Sequence, residues 1–155
     1  MCWQCDHPDK TFDDYLALLR QTIVAHGWAV QHVESDRRPF SYTVGLHERG
    51  LPELLVTGLP TKQAGWLLNT FAKRMTAGLR PVPGDQLVLP ANTRLEVVDV
   101  EHPDAHMGLA IALEGYDVRA IQLVWADGRG RWPWAPGFDG GHRRQPVLGA
   151  RTTNA

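Results

Sequence analysis

The sequence predicts an α+β fold: a mostly antiparallel sheet of about five strands, three helices packed against it, and a long aromatic loop after the last strand. Three observations carry this reading. Phe40, Tyr42, Val44 and Leu46 alternate with Ser41, Thr43 and Gly45, the period-two signature of a strand with one buried face. Two other stretches return apolar residues at helical spacing: Phe12, Tyr15, Leu16, Leu19 and Ile23, then Ala64, Leu67, Leu68, Phe71 and Met75. The resulting order, α-β-β-β-α-β-α-β, is not that of a doubly wound parallel sheet. The apolar phase of each element puts Tyr42, Val44, Leu46, Leu55, Leu67, Phe71, Ile111 and Ile121 in the core.

Residues 1–10 are polar and cysteine-bearing, so their order must come from a ligand or from docking on the body. The first helix opens at Thr11, an N-cap with Asp14 three positions on, and Gly27 stops it. Trp28 to Glu34 reads as a strand. Pro39 to Leu59 follows as a hairpin, with His47-Glu48-Arg49-Gly50 as the connection and Leu54-Leu55-Val56 as the second arm. Thr61 opens the second helix, which Gly78 closes. Pro81, Pro83, Gly84 and Pro90 leave Leu87-Val88-Leu89 as a short strand at most, whereas Arg94 to Val100 makes a better one. His102-Pro103-Asp104 begins a third helix that Gly115 ends, since proline suits the first helical position and an early carboxylate complements the dipole. Val118 to Trp125 is the last strand. The glycines and prolines of 127–138 make that aromatic-bearing stretch a loop packed on the body, and 150–155 reads as a loose tail to a single domain.

The 155 residues, 17.3 kDa, suit one hydrophobic core, and 43% hydrophobic with 21% charged residues excludes global disorder. A formal net charge of -1 argues against a general grip on nucleic acid or an anionic membrane. No apolar run approaches the roughly 20 residues that span a bilayer. Asp6, His7, Asp9 and Lys10 do not suit a signal peptide, so a cytoplasmic protein is expected. In a reducing cytosol the Cys2-x-x-Cys5 spacing favours a metal or redox role over a disulfide.

Cys2, Cys5 and His7 cluster within six positions, close enough for one backbone turn to aim two thiolates at one ion. His102 and His106, spaced i, i+4, place both imidazoles on one side of a helical turn. Together they form a Cys2His2 zinc set, if the N-terminal segment docks on the third helix. His7 competes as a ligand, and Asp104 can orient an imidazole from outside the coordination shell. Four protein ligands make a structural or regulatory ion; three leave a position at which water could be activated. The bland reading, an exposed thiol pair that binds nothing, stands beside it.

Trp125, Trp132 and Trp134 form a candidate ligand cleft, against the simpler reading that they pin a glycine-rich loop to the sheet. Ser41 and Thr43 sit in no nucleophile motif, so a hydrolase triad is not expected.

Gly27-Trp28, Tyr42-Thr43-Val44-Gly45-Leu46, Pro52-Glu53-Leu54, Gly58-Leu59, Gln122-Leu123-Val124-Trp125, Gly130-Arg131-Trp132-Pro133-Trp134 and Gln145-Pro146-Val147-Leu148-Gly149 resemble a bacterial family catalogued as a domain of unknown function. The start Met1-Cys2-Trp3-Gln4-Cys5-Asp6-His7-Pro8, with His102 to His106, resembles an actinobacterial subset of it. There is also a resemblance to a zinc-responsive factor that recruits a hibernation protein to ribosomes, which implies a ribosome-associated partner. The sequence therefore reads as a cytoplasmic zinc-binding protein with a regulatory or protein-interaction role. The alternative is a small-ligand or metal-dependent enzyme with a pocket near the third helix and the aromatic loop.

Overall fold

A computed structural model describes residues 7–34, 38–142 and 145–152. The strands are β1 (Ala29–Val33), β2 (Phe40–Val44), β3 (Glu53–Thr57), β4 (Gln86–Leu89), β5 (Thr93–Asp99) and β6 (Ala120–Trp125). The helices are α1 (Phe12–His26), α2 (Thr61–Thr76), α3 (Pro103–His106) and α4 (Gly108–Glu114). All six strands form one open sheet in the order β1-β2-β3-β6-β5-β4, antiparallel except where β3 runs parallel to β6. No described helix is long and apolar enough to cross a membrane.

Local chemistry sets the helix ends. Thr11 and Asp14 exchange side chain-to-backbone hydrogen bonds of 2.9 and 3.1 Å, a capping box that satisfies two orphan N–H groups of α1. Gly27 closes the same helix in the left-handed conformation. Gly45 turns the chain out of β2 at φ 115°, and a Cβ there would sit 2.8 Å from Ile23 Cγ2, so both conformation and space require glycine.

Three expectations need correction. Among the described residues there are six strands, not about five, because Gln86–Leu89 pairs in full register with residues 93–96. The third helix is two: Met107 leaves the helical region at φ -112°, ψ 59°, and this break buries Met107 and Ala110 while leaving Ile111 only half-buried. Nor does β2 have one buried face, since Ser41 (2% exposed) and Thr43 (0%) are as enclosed as Tyr42.

The reason is that both sheet faces are covered. On one, α2 sends Leu67, Leu68, Phe71 and Met75 against Leu54, Val56, Val97, Ile121 and Leu123. On the other, Leu19 and Ile23 of α1 and Ala110 of α4 pack with Tyr42, Val44, Leu55 and Ala120. The segment from Gln145 continues this second cover over β6. Gln122 donates to Pro146 O at 2.7 Å and accepts from Leu148 N at 2.8 Å, so a buried polar side chain is fully employed. The β3–β6 pairing ends at Leu55 and Gln122, and beyond it the Gln145 amide accepts from Trp125 N and donates to Trp125 O.

Candidate functional site

Cys2 and Cys5 lie outside the described residues, so the structure bears on the metal set only through its histidines. His102 is the exposed N-cap residue of α3 and His106 its half-buried last residue, one helical turn apart, with Asp104 exposed between them. His7 is exposed, and its carbonyl accepts from Lys10 N at 3.0 Å in the turn before α1. Among the described residues no three His, Cys, Asp or Glu side chains come together as a metal cluster.

The direction of two helices matters here. Tyr15, early in α1, acts electrostatically on the Tyr42 hydroxyl, and that hydroxyl accepts from Leu109 N in the first turn of α4 at 3.1 Å. At the other end, Ile23 of α1 and Glu114 of α4 both meet Gly45. Both helices thus run along β2 in the same sense. Tyr15 of α1 and Leu109 of α4 lie at the level of Tyr42, while α3 follows Val100, whose N–H donates to Ala120 O at 3.0 Å. Burial is the main cause that pushes the Tyr42 phenol up to about 12, so it stays a neutral donor and acceptor at this junction.

The three tryptophans separate. Trp125 is buried, donates from Nε1 to Thr57 O at 2.9 Å, and packs on Phe138 with ring centroids 5.3 Å apart. Trp132 and Trp134 stack on each other at 5.6 Å and 9° on the outer side of the loop. Asp127 organises that loop, accepting from the backbone N–H groups of Arg129, Arg131 and Asp139 and from Arg131 Nε. Burial would raise its carboxyl, but these donors outweigh it and hold the pKa at about 2.

Sequence reasoning did not single out the pair Glu53 and Glu114. Glu53, fully buried at the start of β3, accepts at Oε1 from Thr43 Oγ1 and Leu46 N and at Oε2 from Gly45 N and His47 N, at 2.8 to 3.2 Å. Four donors converging on two oxygens satisfy the acceptor sites of this buried group. Gly45 N also donates to Glu114 Oε1 at 2.9 Å, while Glu114 Oε2 is buried with no partner of good geometry. Burial, then the hydrogen bond and charge of Glu53, push the Glu114 carboxyl up to about 9. His47 Nε2 and Asp117 Oδ1 stand 3.8 Å apart beside them. The only sequence signal was a glutamate at the head of an apolar strand, Pro52-Glu53-Leu54-Leu55-Val56, where an unpartnered carboxylate would be costly.

This pair makes stability depend on pH with a definite sign. Glu114 is protonated in the fold and ionised when unfolded at neutral pH, so its contribution is full below about 4.5 and is lost as pH rises to about 9. Glu114→Gln keeps a donor in place and removes the titration. Its denaturation midpoint is expected to stay flat across that window while the wild type's declines. An undiminished slope in the variant would assign the dependence to another group.

Ser41 has a base beside it after all: His32 Nδ1 lies 2.7 Å from Ser41 Oγ, a cross-strand pair on β1 and β2 that spacing along the chain did not reveal. Burial lowers the His32 pKa. A cavity of about 460 Å3 opens beside it, lined by Val30, Gln31, His32, Glu34, Thr61 and Lys62. Ser41 itself is sealed beneath the imidazole, which suits a structural hydrogen bond rather than a nucleophile.

A family model described as a domain of unknown function (DUF4262) matches residues 22–139. No curated protein and no solved structure matches the chain.

Proposed function

This chain belongs to the DUF4262 family of domains of unknown function, and from that premise we propose that it is a zinc-binding regulatory protein whose N-terminal segment is ordered by the metal. Cys2 and Cys5 supply thiolates, His102 and His106 imidazoles, with His7 as the substitute ligand and Asp104 able to orient a ring.

The observation that supports this reading is the shared direction of α1 and α4. Thr11 lies one turn before Tyr15, and His106 three residues before Leu109, the two residues that act on the Tyr42 hydroxyl. An extended chain covers roughly 3.3 Å per residue, so the residues from Cys5 to Thr11 span up to roughly 20 Å once the His7–Lys10 turn opens. The donor chemistry fits: thiolate and imidazole are the ligands zinc prefers in closed tetrahedral sites, and α3 presents both rings from a single turn. When bound, zinc would cross-link the segment to the body. Its affinity would then be folding free energy for residues 1–10. A protein partner that recognises that segment in one state only would read the metal level.

Elemental analysis of the untagged protein tests the reading. One zinc per chain is expected in the wild type, with loss in Cys2→Ser and Cys5→Ser and weakened retention in His102→Ala and His106→Ala. Equal zinc in wild type and the cysteine variants, or none in any, overturns it. Full retention in both histidine variants confines the site to Cys2, Cys5 and His7.

A further inference from the structure

Glu96 lies in the middle of β5 and is only 3% exposed, yet it is a carboxylate with a cation fitted to it. Arg151 donates from Nε to Oε2 at 2.8 Å and from Nη2 to Oε1 at 3.0 Å, the parallel two-bond fork of a guanidinium on a carboxylate. The same guanidinium lies over Trp134, 3.6 Å from carbon to ring centroid. Burial would raise the Glu96 carboxyl; hydrogen bonds from Arg151 and Gln86 more than offset it and hold it below its usual range.

Every wall of this arrangement is placed by something other than Arg151. Glu96 is fixed by its register opposite Val124 and Gln86, and Gln86 Nε2 donates to its Oε1 at 2.9 Å. Trp134 is backed by Trp132, in the loop that Asp127 and the Trp125–Phe138 contact hold. Arg151, by contrast, hangs from a strap whose hydrogen-bonded anchors lie earlier, at Gln145, Pro146, Leu148 and Ala150, and its side chain remains 35% exposed. The guanidinium can therefore leave while the strap stays. Its departure would leave Glu96 with Gln86 as its hydrogen-bond partner and with both oxygens open to a guanidinium fork, which favours replacement by another guanidinium. Lysine is a poor substitute: its ammonium cannot form the fork and stacks less well.

We propose that Glu96 and Trp134 form a preorganised guanidinium-binding site, which Arg151 occupies from within the chain and for which arginine presented from outside competes. The internal arginine acts as a tethered competitor at an effective concentration in the millimolar range.

The test titrates N-acetyl-argininamide and an extended arginine-centred hexapeptide, with lysine counterparts, into the wild type, Arg151→Ala and Arg151→Lys, following the Trp134 indole N–H by NMR. Arg151→Ala is expected to bind the arginine probes roughly tenfold more tightly than the wild type, with Arg151→Lys between them. Lysine probes should bind at least about tenfold more weakly. Adding Glu96→Gln to Arg151→Ala should abolish the gain. Tighter binding of the hexapeptide than of the amide assigns the source to a polypeptide; equal binding assigns it to a free small guanidinium. Equal affinity of wild type and Arg151→Ala for the arginine probes, no discrimination against lysine, or no binding by any variant at millimolar probe overturns the proposal. Should Arg151→Ala fail to fold, the comparison of wild type with Arg151→Lys decides between the same outcomes.

Discussion

Glu53→Gln is expected to destabilise the protein by roughly 3–5 kcal/mol, although it changes only one atom. A glutamine has one carbonyl oxygen for the four donors that Glu53 now receives, so its amide nitrogen must face two of them, donor against donor. Three of the four are backbone N–H groups of Gly45, Leu46 and His47, in a turn with no room to rearrange around Gly45. Each buried N–H left unpaired costs about 1–3 kcal/mol. Urea denaturation at neutral pH measures the loss. The same variant removes the charge that helps keep Glu114 protonated, so its effect and that of Glu114→Gln should not add. Additive effects would mean that the protonation of one carboxyl does not depend on the other. A loss below about 1 kcal/mol would mean that water replaces the missing acceptor.

Phe71→Ala should cost about 3–5 kcal/mol by a different mechanism. Phe71 is fully buried in α2, among Leu67, Leu68, Met75 and the strand residues of the first core, and its removal leaves a void that two packed layers cannot collapse. The midpoint should fall with the denaturant slope unchanged. An unaltered midpoint would contradict the packing of α2 on the sheet.

Both predictions act on the centre of the sheet, and they divide what could be read from the chain from what could not. Phe71 was legible because a buried helix face repeats every three to four residues, a local pattern. The ends of α1 were legible for the same reason: Thr11 with Asp14, and Gly27, act within one turn of themselves. Glu53 was not, because its four donors come from β2 and the following turn, and Glu114 arrives from a helix 61 positions later. Likewise His32 and Ser41 meet only through strand pairing, and Arg151 and Glu96 only because the strap folds back over β5.

The proposed metal ligands sit on the same divide. Cys2, Cys5 and His7 are neighbours in sequence, and the two histidines of α3 are neighbours on one turn, so each half-set is a local statement. That α1 and α4 run in a common direction along β2 is a tertiary fact that no spacing encodes.

By itself, then, the sequence determined the α+β class, the first two helices with their apolar faces, and the cap of α1, since each depends on residues within a few positions of one another. Tertiary structure alone decided that β3 and β6 run parallel, that both faces of the sheet are covered, and that Glu53 faces Glu114 and Arg151 faces Glu96. The physical reason is that a buried charge is stable only where distant segments bring it donors, and which segments meet is fixed by the packing of the whole chain.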